Sequence, residues 1–184
     1  MTTSELGEII DAQTIRFERL LPGPIERVWS YLVESDKRAK WLCAGDISLD
    51  VGGPVDMVFN NESLSDEPDI DIPEKYREYR GEWRYHGTVT RCEPPRLVAH
   101  TWMDEEHASE VCYELTEAGD QVRLVVTHTR LKDTQMMAGA CGGWHAHLNI
   151  LADVLANRRP KAFWQTHATL ESTYESLMRD QGVM

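Results

Sequence analysis

A stretch in the last quarter of the sequence, ACGGWHAHLNILADVL (residues 140–155), decides the fold. Its apolar residues recur at the spacing of one helix face. They are Trp144, Leu148, Leu151 and Leu155. His147 flanks this stripe, whereas His145 points to another side of the helix, so the two histidines cannot bind one ion together. The pattern predicts an amphipathic helix that carries one histidine on its buried side.

Two glycines stand directly before that pattern. Gly142 and Gly143 lower helix propensity and allow a second backbone to approach closely. We therefore expect the two glycines to end the secondary-structure element that precedes them, and we expect the helix to begin near Trp144. A second apolar stripe, Phe163, His167, Leu170, Tyr174 and Leu177, follows a break at Pro160. The sequence thus predicts a C-terminal helical region over 143–179 that is kinked near Pro160.

The composition favours a single cytoplasmic domain. The chain has 184 residues, of which 41% are hydrophobic, which suits one compact unit. A formal net charge of −12 argues against nucleic acid or an anionic membrane as the main partner. The four cysteines form no C-x-x-C pair, so reduced thiols are expected rather than a disulfide scaffold. We see neither an export signal nor a membrane span.

Most of the chain before residue 130 alternates apolar and polar residues with a period of two, which is typical of strands. The predicted strands cover residues 14–20, 47–51, 55–59, 83–89, 97–102, 111–115 and 122–128. Two short helices are expected after the first strand, one beginning at Ile25 behind Pro24, and one over 36–42 with Ser35 as its cap. The acid-rich segment 60–80 is predicted to be a loop, either a lid or a solvated insertion. Residues 1–12 are expected to form a flexible N-terminus ahead of a single domain over 13–180.

The order of these elements resembles the START-like superfamily, also called SRPBCC or birch-pollen-allergen-like. Within it, the chain is similar to the activators of heat-shock-protein-90 ATPase. The stretches that carry the resemblance are GPIERVWSYL (23–32), KWLCAGD (40–46), HGTVTRCEPPRLVAHTW (86–102), VCYELTEAGDQVRLVVTHT (111–129) and GGWHAHLNIL (142–151). The resemblance implies an α+β helix-grip fold, in which a curved antiparallel sheet of about seven strands wraps around a long C-terminal helix. It also implies an apolar cavity between sheet and helix.

Aromatic and histidine side chains of the strands and of the terminal helix are the candidates for lining such a cavity. They are Trp83, Tyr85, His100, Trp102, Tyr113, Trp144, His147, Leu148 and Leu151. The alternative for each of these residues is that it belongs to the hydrophobic core without contacting a ligand. The resemblance makes His128 a candidate for a structural role. Cys141 and His145 have the i, i+4 spacing of metal ligands but lack a third ligand, so neither a metal nor a cofactor is predicted.

Three functions remain open from the sequence. The main hypothesis is that the protein binds a small hydrophobic or amphipathic ligand. The second is a cyclase, dehydratase or hydrolase acting on a polyketide-like or aromatic substrate, with Glu110, Glu114 and His147 as the acid–base candidates. The missing G-x-S-x-G and phosphate-loop motifs favour binding over catalysis. The third is a co-chaperone with a chaperone partner, and a homodimer through Phe163 and Trp164 is a further alternative.

Overall fold

The computed structural model describes residues 6–69, 72–102 and 108–183. Seven antiparallel strands form one sheet in the order β1-β2-β7-β6-β5-β4-β3. The strands are β1 (Glu8–Asp11), β2 (Thr14–Pro22), β3 (Pro54–Phe59), β4 (Trp83–Glu93), β5 (Leu97–Trp102), β6 (Ser109–Ala118) and β7 (Gln121–Thr129). Alternate residues of the strands, such as Ile15 and Phe17, are buried beneath the C-terminal helices. The predicted α+β helix-grip architecture is confirmed.

Two short helices follow β2, as predicted. The first, α1 (Ile25–Val33), buries Ile25, Val28 and Leu32 on one face. The second, α2 (Ser35–Arg38), is shorter than the predicted 36–42, and its cap is Glu34 rather than Ser35. The Ser35 hydroxyl instead accepts a hydrogen bond from the Gly45 N–H at 2.9 Å. This contact turns the chain back toward β3.

The predicted strand over 47–51 is wrong. Only isolated bridges join this region to β3, at Ala44↔Val58 and Ile47↔Val55. Leu49 and Val51 are exposed. The chain turns at residues 50–53, where the Gly53 N–H donates to the Asp50 carbonyl at 2.9 Å, so Val51 lies in a turn and not in a β-ladder.

The seventh strand comes instead from a segment predicted to be flexible. Within residues 1–12, positions 8–11 form β1, which pairs with β2. A turn in which Asp11 Oδ1 accepts from the Gln13 N–H and an ion pair between Glu8 and Arg16 at 3.2 Å hold this hairpin. Its sequence is too short and too polar to show a period of two. Residues 1–5 lie outside the described part of the chain.

The C-terminal helix begins earlier than predicted. It is α3 (Thr134–Leu155), and the Asp133 side chain caps it by accepting from the Met136 N–H. Gly142 and Gly143 therefore lie inside the helix and do not end a preceding element. Of the described helices, none combines the length and apolar character that a bilayer span requires.

The chain does not continue as one kinked helix past Pro160. A separate helix, α4 (Phe163–Asp180), folds back against α3. The contacts run in opposite directions along the two helices, because His147 packs on Phe163 whereas Gly142 lies against Glu171. Asn157, at φ 54°, and the connection through Pro160 provide the reversal.

Gly142 is needed at the closest approach of α3 and α4. A Cβ there would lie 3.1 Å from the Glu171 backbone nitrogen and 3.2 Å from the His167 carbonyl oxygen, whereas one at Gly143 would meet nothing closer than 3.9 Å. We expect Gly142→Val to lower the free energy of unfolding by about 2 kcal/mol through overpacking. Gly143→Ala should raise it by up to about 1 kcal/mol through helix propensity. Denaturant unfolding of both variants tests this, and equal effects would contradict the proposed close contact.

Candidate ligand-binding cavity

A cavity of about 500 Å³ lies between the inner face of the sheet, α3, α4 and the described residues, 61–69 and 72–79, of the segment 61–79, which connects β3 to β4. This volume is in the range of small-molecule pockets. Its aromatic lining consists of Phe59, Tyr76, Tyr79, Trp83, Tyr85, Trp102, Trp144, Phe163 and Trp164. Polar side chains occur among these rings, including Asn61, His147, His167 and Glu171. The cavity thus combines nine aromatic rings with polar and charged side chains, which also include Lys75, Glu78 and Asp133.

The structure brings five of the nine candidate residues together at this cavity: Trp83, Tyr85, Trp102, Trp144 and His147. The other four, His100, Tyr113, Leu148 and Leu151, are buried outside its lining. His100 lies between Trp102 and Tyr113, with ring centroids 6.0 Å and 5.9 Å away. His100 and Tyr113, which pack on Trp102 and Trp144 respectively, therefore support the lining from behind.

The aromatic rings of the wall pack on one another. Trp83 stacks on Phe59 at 5.3 Å between centroids, with only 8° between the ring planes. Trp102 lies 5.2 Å from Trp144, which joins the strand side of the cavity to α3. Such contacts fix ring orientation, so the wall is formed before a ligand arrives.

His128 holds Trp144 in place and has a structural role. The Trp144 Nε1–H donates to His128 Nδ1 at 2.9 Å, so the imidazole proton lies on Nε2 and is donated to Ser109 Oγ at 2.7 Å. Burial lowers the pKa of His128 to about 3. The ring therefore stays neutral at physiological pH, with both nitrogens engaged.

His147 is the histidine that the helical pattern places on the buried side. Its Nδ1–H donates to the Trp41 carbonyl at 2.8 Å, and its ring packs on Phe163 at 4.5 Å. Burial lowers the pKa of His147 to about 3. Its Nε2 is consequently an unprotonated acceptor, and a weak base at neutral pH.

Several cavity residues escaped the sequence analysis because they come from α4 and from the segment 61–79. Glu171 is buried and accepts a hydrogen bond from the Tyr76 hydroxyl at 2.5 Å and an ion pair from Lys75 at 2.8 Å. Burial, together with Glu171, raises the pKa of the Tyr76 phenol, which stays a hydrogen-bond donor. In the sequence, the only indication of a buried role for these residues was the apolar stripe of α4. An apolar stripe does not show which part of the protein the helix packs against.

The segment 61–79 is bound to the beginning of α4. Asp69 Oδ1 accepts from the backbone N–H groups of Trp164 at 2.9 Å and Gln165 at 3.3 Å, so it caps that helix from a distance in sequence. The Ser65 hydroxyl donates to the Pro160 carbonyl at 2.7 Å. The region predicted to be a long loop is irregular over most of its described part and contains two short 3₁₀ helices, Asn61–Ser63 and Glu74–Tyr79.

The remaining candidates lie elsewhere. Glu110 and Glu114 do not line the cavity. His145 accepts at Nδ1 from the Tyr174 hydroxyl at 2.9 Å, and that hydroxyl accepts from the Gly7 N–H at 2.7 Å. No cluster of metal-ligating side chains occurs within residues 6–69, 72–102 and 108–183. Phe163 and Trp164, proposed for a homodimer contact, are buried and line the cavity.

A larger depression of about 1150 Å³ lies beside β2 and the outer sides of α3 and α4. Five of its charged side chains form ion pairs with each other, Arg16 with Glu8 and Glu18, and Arg158 with Asp153. Such a lining suits solvent rather than an apolar ligand. We therefore assign the candidate site to the smaller aromatic cavity.

Comparisons with known proteins agree with this architecture. A protein of Bordetella parapertussis with a solution NMR structure is 50% identical, with 92% of this chain and 88% of that chain covered and a TM-score of 0.77. The crystal structure of CalU16 from Micromonospora echinospora is 21% identical, with 95% of both chains covered and a TM-score of 0.66. A conserved protein of unknown function from Enterococcus faecalis is 19% identical, with 92% and 88% covered and a TM-score of 0.64. A search of curated proteins returns no match.

The sequence model of one family matches residues 22–156, which include β3 to β7, α1 and all of α3. These elements supply the sheet side of the cavity and the helix that crosses it. The chain therefore belongs to the family described as Activator of Hsp90 ATPase homolog 1-like protein.

Proposed function

We propose that the protein binds a small hydrophobic or amphipathic ligand with an aromatic body between its sheet and its two C-terminal helices. The observation that carries this proposal is the preorganised cavity of about 500 Å³ with nine aromatic residues in its wall. Rings that already pack on one another, such as Trp83 on Phe59, lose little conformational freedom when a ligand enters. An aromatic ligand would continue this stacking.

The polar groups of the cavity favour binding over catalysis. Glu171 is engaged by Tyr76 and Lys75, and His147 is engaged at Nδ1. A general base works best with a pKa near the operating pH, whereas the pKa of His147 lies at about 3. Hydrogen-bonded groups of fixed protonation state suit recognition. The four free cysteines support the proposed cytoplasmic location.

Native mass spectrometry of freshly purified protein tests the proposal directly. We expect a reproducible excess mass, and denaturation should release a small molecule that can be identified. A clean apo mass, together with no binding of a panel of two- to four-ring aromatic compounds in calorimetry, would overturn the proposal.

Filling the cavity should abolish ligand binding without unfolding the protein. Ala140 is half-buried on α3 and lines the cavity. We expect Ala140→Trp to lower the affinity for any bound aromatic compound at least about tenfold, since the new indole occupies the ligand's volume. The control is Ser172→Phe, at an exposed position of α4 outside the lining. Equal binding by both variants would place the ligand elsewhere.

A further inference from the structure

Three buried polar atoms of the cavity residues have no hydrogen-bond partner within the described part of the chain. They are Asn61 Oδ1, Trp164 Nε1 and His167 Nδ1. The three residues are 4%, 3% and 5% exposed, respectively. Native proteins pair nearly all such groups, because an unpaired buried donor or acceptor loses its hydration without compensation. Three of them at one cavity indicate that something else supplies the partners.

The three residues belong to one wall. Trp164 and His167 are neighbours on α4, with ring centroids 5.8 Å apart. The 3₁₀ helix that begins at Asn61 packs against α4. All three residues line the same cavity. The residues that carry the three unpaired atoms therefore lie together on the α4 side of the cavity, and this group of residues is called the subsite.

The hydrogen-bonding character of each atom follows from its surroundings. Trp164 Nε1 carries a hydrogen and can only donate. The His167 Nε2–H donates to the Gly139 carbonyl at 3.2 Å, which leaves Nδ1 as an acceptor. Burial lowers the pKa of His167, so this ring is neutral. With Asn61 Oδ1 as the second acceptor, the subsite offers one donor and two acceptors.

The rings beside the subsite define what the rest of the ligand resembles. Tyr76 stacks on Trp164 at 5.2 Å and meets His167 edge-on at 4.8 Å. Trp83 lies 6.4 Å from Trp164 and leads toward the sheet. A planar group that packs against the exposed faces of these rings would place its polar end at α4.

We propose that Asn61, Trp164 and His167 form a recognition subsite for the polar end of an aromatic ligand, a group with two hydrogen-bond donors and one acceptor. A primary carboxamide has this pattern, and so does a pair of neighbouring hydroxyl groups on an aromatic ring. This inference rests on the proposed function and specifies the chemical class of the ligand. A purely apolar aromatic compound would leave the three atoms unpaired.

Two probes of nearly equal size and shape separate the polar contribution from the aromatic one. 2-Naphthamide carries two N–H donors and a carbonyl, whereas 2-acetonaphthone replaces the NH₂ group by a methyl group and keeps the carbonyl. We expect the protein to bind the amide at least about tenfold more tightly in calorimetry, since sites built for a donor discriminate strongly against its loss. Equal affinities would overturn the subsite and leave the proposed function standing. If neither probe binds and the purified protein carries no ligand mass, both fail.

Single substitutions assign the three atoms. Asn61→Leu and His167→Phe each remove one acceptor, so they should reduce the preference for the amide while the affinity for the ketone stays. Trp164→Phe removes the donor to the carbonyl that both probes share, so it should weaken both probes equally. Gln165→Leu, at an exposed neighbouring position, is the matched control and should change neither affinity.

This pattern separates recognition from a merely structural role. Damage to the fold would weaken both probes in every variant and lower the thermal unfolding temperature. If Asn61→Leu and His167→Phe both remain folded and keep the full amide preference, the assignment of the acceptors is wrong.

Discussion

Lowering the pH from 7 to 5 should remove most of the stability of this protein. Burial lowers the pKa of His100 and His145 to about 4, and of His128 and His147 to about 3. Each ring is neutral in the folded chain but regains its ordinary pKa of about 6.5 on unfolding. As the pH falls through that value the unfolded state binds more protons than the folded state, so this stability is fully present above about pH 7.5 and is lost as the pH falls through 6.5 toward 4.

The magnitude follows from the linkage relation. At pH 5 each of these histidines lowers the free energy of unfolding by about 2 kcal/mol, which gives about 8 kcal/mol for four. A domain of this kind is stable by about 5–15 kcal/mol, so cooperative unfolding near pH 5 is expected. Two carboxyl groups also have lowered pKa values, Glu18, which binds Arg123, and Glu62, which accepts from the Gly81 N–H. Their protonation lowers the free energy of unfolding only below about pH 4.5, so they do not produce this loss.

Denaturant unfolding at a series of pH values from 4.5 to 8.5 measures the effect. We expect a flat profile above about pH 7.5 and a slope of about four protons near pH 5.5, to which His167 also contributes because burial lowers its pKa in the same direction. His100→Phe should reduce the slope by about one proton, because phenylalanine can keep the packing on Trp102 and Tyr113. Tyr113→Phe is the matched control in the same layer, since burial raises the Tyr113 pKa and no proton is exchanged in this range. A profile without slope between pH 5 and 6.5 would contradict the prediction.

Local patterns were sufficient for the sheet side of the cavity. Trp83 and Tyr85 share a strand face because they are two residues apart, and the same holds for His100 and Trp102. The stripe that begins at Trp144 likewise fixed the buried face of α3. How deeply a residue of the strand face is buried depends on the elements that pack against the sheet. For this reason His100 lies behind the cavity lining, whereas Trp102 is part of it.

The α4 side depended on tertiary contacts that no local pattern contains. Glu171 and Asn61 are polar residues that no local pattern marks as buried, and they become buried because α4 folds back on α3 and the 3₁₀ helix that begins at Asn61 packs on α4. The glycine pair was misread for the same reason. Gly142 resembles a helix terminator in sequence, yet it is required by the backbone of Glu171 on the facing helix.

The buried Arg38 is the second place where one side chain should have a large effect. It is 2% exposed, and no carboxylate in the described residues forms an ion pair with it. Its guanidinium instead donates to the carbonyls of Cys43 at 3.2 Å, Asp56 at 3.1 Å and Gly45 at 2.5 Å. One side chain thus satisfies the backbone of the segment that joins α2 to β3.

We expect Arg38→Met to lower the free energy of unfolding by about 3–5 kcal/mol, because several buried carbonyls then lose their donors while the apolar stem is kept. Chemical denaturation at pH 7.5, where the histidines contribute no slope, measures this loss. Arg27→Met is the matched control, since Arg27 makes a single contact to the Leu155 carbonyl at 2.8 Å from a partly exposed position. Arg27→Met should lower the free energy of unfolding by only about 1 kcal/mol.

Arg38→Met should also weaken ligand binding in the cavity. Trp41, whose carbonyl binds His147, and Leu42, which lines the cavity, directly precede the residues that Arg38 holds. Loosening that segment removes the partner of the His147 Nδ1–H, so Arg38→Met should weaken aromatic ligands even under conditions where the variant is folded. If Arg38→Met and Arg27→Met lower stability equally and both keep full ligand affinity, the carbonyl contacts of Arg38 do not organise this end of the site.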